Sequence, residues 1–255
     1  MAHLLDAAHR TVWQSIRHEA HAASVNDPVF GEALSAAILD HRDLGSVVAH
    51  QIGARLGRST AERAQFAAVA REVYLADPGL VAAASCDLHG IATHDPAATT
   101  LLPPLLNYKG YIALQAYRVS HRLWTNQRFD LALLLQAESS ASLQVSIHPS
   151  ALIGTSVFLD HATGIVIGAH SSIGHDVTIL QNVTIGRHDA LPGRAPRIGR
   201  GVLLSSGATV LGDVAVGDFA KIGAGAVVTT DVPAGCTAVG TPARLTNCPE
   251  QPIPT

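Results

Sequence analysis

Two segments in the aliphatic, glycine-rich second half of the chain combine histidine with charged side chains that could take part in chemistry. The first is Asp160-His161, and the second is the segment 186–197, which contains His188 and Arg194. The charge of an imidazole changes close to neutral pH, so a histidine can accept a proton from a substrate or, when neutral, bind a metal ion. Both places are therefore candidate functional segments, and their chemistry depends on the elements that hold them.

The elements around these segments follow a repeat of six residues. A helix has about 3.6 residues per turn and a two-faced strand has a period of two, so neither produces this spacing. A period of six is the signature of a parallel β-helix, in which the aliphatic side chain points into a prism. The aliphatic positions are Ile147, Ile153, Leu159, Ile165, Ile167, Ile173, Ile179, Ile185, Ile198, Leu204, Val210, Val216, Ile222 and Val228. Their small or β-branched partners, four positions later, include Val202, Ala208, Val214, Ala220, Ala226 and Val232.

The repeat predicts how the candidate segments lie on this prism. Its frame jumps by two residues between Ile165 and Ile167. His161 lies two residues past the aliphatic position Leu159, so we expect its side chain to point outward, where a substrate could reach it. The segment 186–197 interrupts the hexads as an extruded loop, and loops on a rigid scaffold carry function more often than core positions do.

The first half of the chain has apolar residues three and four positions apart, which predicts helices. We divide the chain into a helical domain (1–142), a β-helix domain (143–245) and a tail (246–255). The tail is polar and proline-rich, so we expect it to be loosely ordered. The change of period near Val145 leaves no room for a flexible linker between the two domains.

Helix boundaries follow from capping residues and prolines. Ser59 and Glu62 resemble a capping box, and the run 101–104 (Leu-Leu-Pro-Pro) predicts a break. Further helices are expected over about 108–126 and about 129–139. Three Asp-Pro pairs predict an N-cap with proline at the first helical position: Asp27-Pro28, Asp77-Pro78 and Asp95-Pro96.

Composition excludes several classes of function. The net charge of −3 and the pI near 6.5 do not suit binding to nucleic acid or to an acidic membrane surface. No stretch is apolar for long enough to span a bilayer, and the N-terminus lacks the features of a signal peptide. The three cysteines have no metal-like spacing, and we interpret them as reduced thiols of a cytoplasmic protein. A bond between Cys236 and Cys248 is left open as the alternative.

Six segments, in this order, strongly resemble the bacterial serine O-acetyltransferase family from about residue 70 to residue 245. They are Cys86-Asp87, Asp95-Pro96, the run Leu105–Arg118, Ile147-His148-Pro149, the run Leu159–Gly164 and the run Lys221–Gly225. The resemblance implies an α+β fold, in which an all-helical domain precedes a left-handed parallel β-helix of hexapeptide repeats. It implies an enzyme with no metal and no permanently bound cofactor, which uses acetyl-CoA as its co-substrate.

The resemblance also assigns roles in an acceptor site. His161 would be the general base that accepts the hydroxyl proton of L-serine, since an alcohol is a poor nucleophile until that proton is removed. Asp160, next to it in the catalytic pair, and Asp95 from the helical domain would contact the amino group of serine. Arg194 would bind its carboxylate through two hydrogen bonds. The product would be O-acetylserine, an intermediate of cysteine biosynthesis.

The acyl donor is expected in a groove along the side of the prism, between neighbouring subunits. Lys221 would meet a phosphate of CoA, although a solvated turn residue is the equal alternative. The backbone amides that would pair with the pantetheine arm lie near Ser206, Gly207, Gly223 and Ala224.

Four departures from the family pattern concern the acceptor site. Ser146 stands where the family has the aspartate that orients the catalytic imidazole, and Ala169 stands in place of a glutamate. Ala195 replaces a second active-site histidine, which His188 is a candidate to replace from a shifted position in a shorter loop. In serine proteases the loss of the aspartate behind a catalytic histidine costs roughly 10⁴ in rate. The departures favour an alternative, in which the enzyme acylates another hydroxy amino acid or small alcohol, or uses another acyl-CoA.

Two further hypotheses come from different classes. His170 and His175 are suitably spaced for zinc ligands, as in a γ-type carbonic anhydrase, although the long helical domain argues against that class. The other is an inactive homologue that serves as a scaffold for other subunits.

The resemblance further implies an assembly. The subunits would form a homotrimer with sites at subunit boundaries, or a dimer of such trimers. Family members dock a C-terminal isoleucine into O-acetylserine sulfhydrylase. This sequence ends Pro254-Thr255, so we do not expect that complex.

Overall fold

A computed structural model describes residues 2–187 and 194–249 of the chain. Its N-terminal part is all helical, as predicted, with a single turn of π-helix at Ser35–Leu39. Over the described ranges the α-helices are α1 (Ala2–Asn26), α2 (Pro28–Leu34), α3 (Leu44–Leu56), α4 (Thr60–Ala76), α5 (Pro78–His94), α6 (Leu102–Asn107), α7 (Lys109–Thr125) and α8 (Phe129–Leu143).

Side-chain caps fix three of the predicted helix starts. The carboxylate of Asp27 accepts hydrogen bonds from the first amides of α2, and Asp77 does the same for α5. Ser59 and Glu62 form the predicted capping box of α4. The Ser59 side chain accepts a hydrogen bond from the Glu62 amide, and the Glu62 side chain accepts one from the Ser59 amide. These residues satisfy amides that the first helical turn leaves without a partner.

Two predicted helix boundaries are wrong. Asp95 ends α5 instead of starting a helix, because Pro96 is followed by a turn. The run 101–104 does not interrupt helical structure, because Pro103 and Pro104 occupy the first turn of α6. Proline is tolerated there because amides of the first turn have no helical acceptor.

The second half is a three-sided parallel β-helix, which confirms the fold expected from the hexads. One sheet contains β1, β4, β7, β10 and β13, the next contains β2, β5, β8 and β11, and the third contains β3, β6, β9, β12, β14 and β15. The strands are β1 (Val145–Ile147), β2 (Leu152–Ile153), β3 (Phe158–Leu159), β4 (Ile165–Ile167), β5 (Ser172–Ile173), β6 (Thr178–Ile179), β7 (Thr184–Gly186), β8 (Arg197–Ile198), β9 (Leu203–Leu204), β10 (Thr209–Leu211), β11 (Ala215–Val216), β12 (Lys221–Ile222), β13 (Val227–Val228), β14 (Thr237–Val239) and β15 (Arg244–Thr246).

The aliphatic hexad residues form the interior of the prism. All of them are buried except Ile153, which is partly buried, and all six small partners predicted beside them are buried as well. This continuous apolar column stabilises each coil only through its neighbours, as in other solenoids.

The two-residue jump in the repeat is an enlarged corner of the first coil. Ile147 pairs with Ile167, twenty positions later, whereas Ile167 pairs with Ile185, eighteen positions later. The extra residues lie in the turn between β3 and β4. His161 and Ala162 adopt φ angles of 53° and 59° there, in the left-handed region that non-glycine residues seldom occupy.

The cysteines and the tail differ from the prediction. Cys236 and Cys248 are joined by a disulfide, with their Cα atoms 4.1 Å apart, so the interpretation of all three as free thiols is wrong. The reason is that β15 folds back antiparallel to β14, which brings the two cysteines together. Part of the predicted loose tail is therefore ordered, and residues 250–255 lie outside the described part of the chain. Within the described ranges, no helix combines the length and the apolar character that a bilayer crossing requires.

Candidate active site

One corner of the prism stacks His161 above a column of turn residues. Leu159, Ile179, Leu204 and Ile222 are aligned in neighbouring coils of the third sheet. Two positions after each of them lie His161, Gln181, Ser206 and Ala224 in turn. Neighbouring coils are about 4.8 Å apart, and hydrogen bonds from Gly207 to Gln181 and from Gly225 to Ser206 keep the last three of these residues in a line along the prism. In the first coil the amide of Asn182 donates to Thr163, so Thr163 continues the line and His161 lies two residues before it, in the enlarged turn. Aligning the hexads would have identified Gln181, which the sequence analysis missed.

The His161 side chain points outward, as predicted from its place in the repeat. It is 77% exposed, and its Nε2 lies 3.8 Å from Oδ1 of Asp160. The corner is held by backbone hydrogen bonds, since the amide of Gly164 donates to Gln144 and the amide of Asn182 donates to Thr163. The imidazole is therefore presented on a fixed turn and is open to a substrate.

The helical domain brings a second carboxylate to this corner. Oδ2 of Asp95 accepts a hydrogen bond from the Tyr108 hydroxyl at 2.9 Å, and Oδ1 accepts one from the Ala97 amide at 2.8 Å. Burial, the hydrogen bond to Asp95 and the charges of Asp95 and Asp160 raise the pKa of the Tyr108 phenol. Both predicted acidic residues thus act on the same phenol, although they come from different domains.

The first turn of α7 holds the helical domain against the corner. Nζ of Lys109 lies 2.5 Å from Oγ1 of Thr163, two residues after the candidate base. Gly110 lies so close to β3 that a Cβ atom would collide with the carbonyl oxygen of Leu159. A glycine is needed here because two backbones approach each other closely.

Two free amides follow the imidazole along the column. Ser206 and Ala224 each occupy the second position of a tight turn, closed by hydrogen bonds of 3.0 Å (Ala208 to Ser205) and 3.1 Å (Ala226 to Gly223). The third positions, Gly207 and Gly225, have φ angles of 70° and 66°, as type II turns require. In the described part of the chain the amides of Ser206 and Ala224 donate to no acceptor.

The other predicted donor-site residues contribute differently. The amide of Gly207 donates to Gln181 and that of Gly223 donates to Ala238, both at 2.9 Å, so neither is available to a ligand. Lys221 is exposed on β12, beside the column. Only two of the four predicted backbone donors can therefore bind an extended molecule.

The extruded loop is described in part. Arg194 is exposed. The hydrogen bond from Arg197 lowers the pKa of Asp213, and the charges of Arg197 and Arg194 add to this effect. Ala195 is 4% exposed, so it faces the protein and not the candidate site. His188 lies outside the described residues, and its candidate role stays a prediction.

Comparisons with known proteins show the family to which the chain belongs. The family described as "Serine acetyltransferase, N-terminal" matches residues 12–116, and "Bacterial transferase hexapeptide (six repeats)" matches residues 195–230. The serine acetyltransferase of Salmonella typhimurium is 44% identical over 93% of this chain and 88% of its own length. The chain belongs to the serine acetyltransferase family. It is therefore an acyltransferase. A second relative, the serine acetyltransferase of Escherichia coli K12, is 42% identical over 95% of this chain and 89% of its own length.

Solved structures of serine acetyltransferases have the same fold. One described as a complex with CoA superposes with a TM-score of 0.90 at 39% identity, covering 93% of this chain and all (100%) of that one. A soybean serine acetyltransferase complexed with serine gives 0.89 at 41% identity, covering 94% and 99%. A third, in complex with cysteine, gives 0.92 at 39% identity, covering 95% of each chain.

Membership of this acyltransferase family replaces the carbonic anhydrase hypothesis. Nδ1 of His175 accepts a hydrogen bond from the amide of Thr155 at 3.0 Å, which engages one of its two ligand positions. Among residues 2–187 and 194–249 no three His, Cys, Asp or Glu side chains converge as metal ligands would.

Ser146, which replaces the family's aspartate, is bonded to the helical domain. Its Oγ accepts a hydrogen bond of 3.2 Å from Nε2 of Gln136 on α8. No hydrogen bond joins it to His161 where the chain is described. Within the subunit the His161 imidazole is therefore placed by its turn, with the Asp160 carboxylate 3.8 Å away.

Proposed function

We propose that this acyltransferase moves the acetyl group of acetyl-CoA to the side-chain hydroxyl of L-serine, giving O-acetylserine and CoA. The observation that carries the proposal is the enlarged corner, where the outward imidazole of His161 lies 3.8 Å from Asp160 and Tyr108 holds the Asp95 carboxylate, with free amides in the later coils of the same corner. The related structures described as complexes with CoA and with serine support the choice of both substrates.

The acceptor side supplies groups that match each part of serine. Asp95 and Asp160 carry the negative charge that suits its ammonium group, and Arg194 carries the fork of donors that suits its carboxylate. With both ends bound, the hydroxyl is directed to the exposed ring of His161. The role of Arg194 follows from the family motif and from its exposure on the loop.

The reaction is a direct transfer in this proposal. His161 accepts the hydroxyl proton while the serine oxygen attacks the thioester carbonyl, forming the new C–O bond. When the tetrahedral intermediate collapses, the C–S bond breaks and CoA leaves as a thiolate. The imidazolium returns its proton to that sulfur, so the enzyme ends the cycle unchanged and needs no metal or permanently bound cofactor.

The acyl donor is proposed to lie along the column below His161. An extended pantetheine arm has amide carbonyls that can accept from the free N–H groups of Ser206 and Ala224. Lys221 is suitably exposed to contact a phosphate as a point charge. The side-chain Oε1 of Gln181, which is buried without a partner, lies between the imidazole and these amides.

We further propose that the subunits assemble as a homotrimer or as a dimer of trimers. Leu133 and Leu134 of α8 and Val166 of β4 are 40%, 45% and 42% exposed, which is apolar surface that a neighbouring subunit could cover. A complex with O-acetylserine sulfhydrylase is still not expected, and a cytoplasmic location stays a prediction.

A screen of acceptors with acetyl-CoA tests the proposal. Release of the CoA thiol would be measured with L-serine, D-serine, L-threonine, ethanolamine and 3-hydroxypropanoate at matched concentrations. We expect the highest kcat/KM for L-serine. Ethanolamine lacks the carboxylate and 3-hydroxypropanoate lacks the ammonium group, whereas L-threonine adds a methyl group beside the hydroxyl and D-serine reverses the stereocentre. A higher value for another acceptor would overturn serine as the substrate, and no thiol release with any acceptor would support the inactive scaffold instead.

A further inference from the structure

Three consecutive residues at the start of α7 each contact a different part of the acceptor site. Tyr108 donates to Asp95, Lys109 contacts Thr163, and Gly110 packs against Leu159. We infer that Tyr108 is a positioning residue, which holds the Asp95 carboxylate ready for the ammonium group of the acceptor. The inference rests on the proposed function and adds a residue that selects for the amino group.

Hydrogen-bond accounting shows how Asp95 is prepared. A carboxylate offers about four lone-pair sites, two on each oxygen. The Ala97 amide occupies one site on Oδ1 and the Tyr108 hydroxyl occupies one site on Oδ2. Each oxygen keeps one free site, and both oxygens are fixed in place. An ammonium group therefore meets a carboxylate whose orientation is already set, which reduces the ordering cost of binding.

The Tyr108 hydroxyl is a dependable donor because its surroundings keep it protonated. Burial, the hydrogen bond to Asp95 and the charges of two carboxylates raise the pKa of this phenol. The backbone of Tyr108 is fixed from both sides along the chain. The Tyr108 amide donates to Pro104 at 3.2 Å, and its carbonyl accepts from Ile112 at 3.3 Å.

The side chain of Asp95, in contrast, makes only one hydrogen bond within its own described segment. It lies in the turn after α5, and without Tyr108 its side chain would keep only the bond from Ala97 within that turn. Tyr108 therefore connects this carboxylate to the start of α7. The same helix contacts the turn of His161 through Lys109 and Thr163.

The test replaces Tyr108 by Phe, which keeps the ring and removes only the hydroxyl. Initial rates would be measured with L-serine and with 3-hydroxypropanoate, which has the same hydroxyl and carboxylate but no amino group. We expect the KM for L-serine to rise by about tenfold, as for the loss of one charge-assisted contact. The kcat, the KM for acetyl-CoA and the constant for 3-hydroxypropanoate should change by less than about twofold. If 3-hydroxypropanoate is turned over too slowly, its Ki against L-serine serves as that constant.

Tyr117→Phe is the matched control on the same helix. Its hydroxyl donates to the carbonyl of Ala151 at 2.7 Å, away from both carboxylates, so its removal should lower thermal stability without a serine-specific change in KM. In an Asp95→Asn background, Tyr108→Phe should have no further effect on the KM for L-serine, because the two residues act as one unit.

Two results would overturn the inference while leaving the proposed function intact. One is an unchanged KM for L-serine in Tyr108→Phe, and the other is an equal loss with both acceptors, which indicates a general structural role. A wild-type enzyme that does not acetylate L-serine would instead contradict the proposed function itself.

Discussion

The corner that carries His161 and the same corner two and three coils further along are built from one repeat but are used differently. At Ser206 and Ala224 the coils keep the regular spacing, and type II turns leave one backbone amide free in each. At His161 two extra residues enlarge the turn and place a non-glycine residue in the left-handed region. In the proposed function, the regular corners supply amide donors for an extended ligand, and the irregular corner supplies the general base.

The two kinds of corner also differ in what holds them. Each regular corner is stabilised mainly by the hydrogen bonds to adjacent coils, such as the bond from Gly225 to Ser206 at 2.9 Å. The enlarged corner lacks a coil on its outer side, and the first turn of α7 takes that place through Lys109 and Gly110. A repeat can thus be modified at its end, where another domain compensates for the lost neighbour.

Replacing His161 is expected to have the largest effect. Asparagine is the informative substitution, because it tolerates a positive φ better than alanine does and so preserves the turn while removing the base. We expect His161→Asn to lower kcat by roughly 10²–10⁴ with little change in either KM. Steady-state rates with L-serine and acetyl-CoA measure this.

The alanine variant is the companion measurement. His161→Ala should lose the same activity and also some thermal stability, since alanine adopts the left-handed region less readily. If either variant retained wild-type turnover at neutral pH, the base would have to be another residue. The difference between the two corners would then be structural only.

Adding a methyl group to Gly110 is expected to have the next largest effect. In a free helix, alanine would be favoured over glycine by about 0.5–1 kcal/mol. Here the new Cβ collides with the Leu159 carbonyl, and β3 cannot yield because the next amide, of Asp160, donates to Ile179 at 2.8 Å. Overpacking costs roughly 1–3 kcal/mol, so we expect a net loss of stability.

A fall in Tm, together with a higher KM for L-serine, would report this displacement of α7. Gly186→Ala is the matched control, because a Cβ at Gly186 meets nothing within 4 Å. If Gly110→Ala were as stable and as active as the wild type, the enlarged corner would not depend on the helical domain for support.

The sequence predicted the parts of the molecule that obey a local rule. The hexads placed the interior residues correctly because each coil repeats the same short strand and turn, and the caps at Asp27, Ser59 and Asp77 act within a few residues of themselves. The outward direction of His161 followed from the same rule. Its place beside one end of a column did not follow, because that depends on the length of every intervening corner.

The errors concern residues whose environment comes from distant parts of the chain. The neighbouring Pro96 predicted that Asp95 caps a helix. In the structure its carboxylate accepts a hydrogen bond from Tyr108, at the start of α7. The pairing of Cys236 with Cys248 depends on the reversal of the chain before β15. Ala195 is buried, so a larger side chain there would have to displace its neighbours. None of these facts has a local signature.

Removing one amide from a regular corner is expected to have the smallest effect. Ala224 occupies the second position of its type II turn, where proline is favoured, so Ala224→Pro deletes the free N–H while preserving the turn. One hydrogen bond to a neutral carbonyl contributes about 1 kcal/mol, so we expect the KM for acetyl-CoA to rise by about fivefold. The kcat and the KM for L-serine should stay close to those of the wild type.

Ala224→Gly is the control for this last variant, because it keeps the N–H and changes only the side chain. An unchanged KM for acetyl-CoA in Ala224→Pro would mean that the regular corners serve the fold alone. Taken with His161→Asn, the variant separates the role of the regular corner from that of the enlarged corner. We expect Ala224→Pro to weaken only the binding of acetyl-CoA and His161→Asn to lower only the turnover. That pair of results would show that a difference of two residues in spacing separates a binding turn from a catalytic turn.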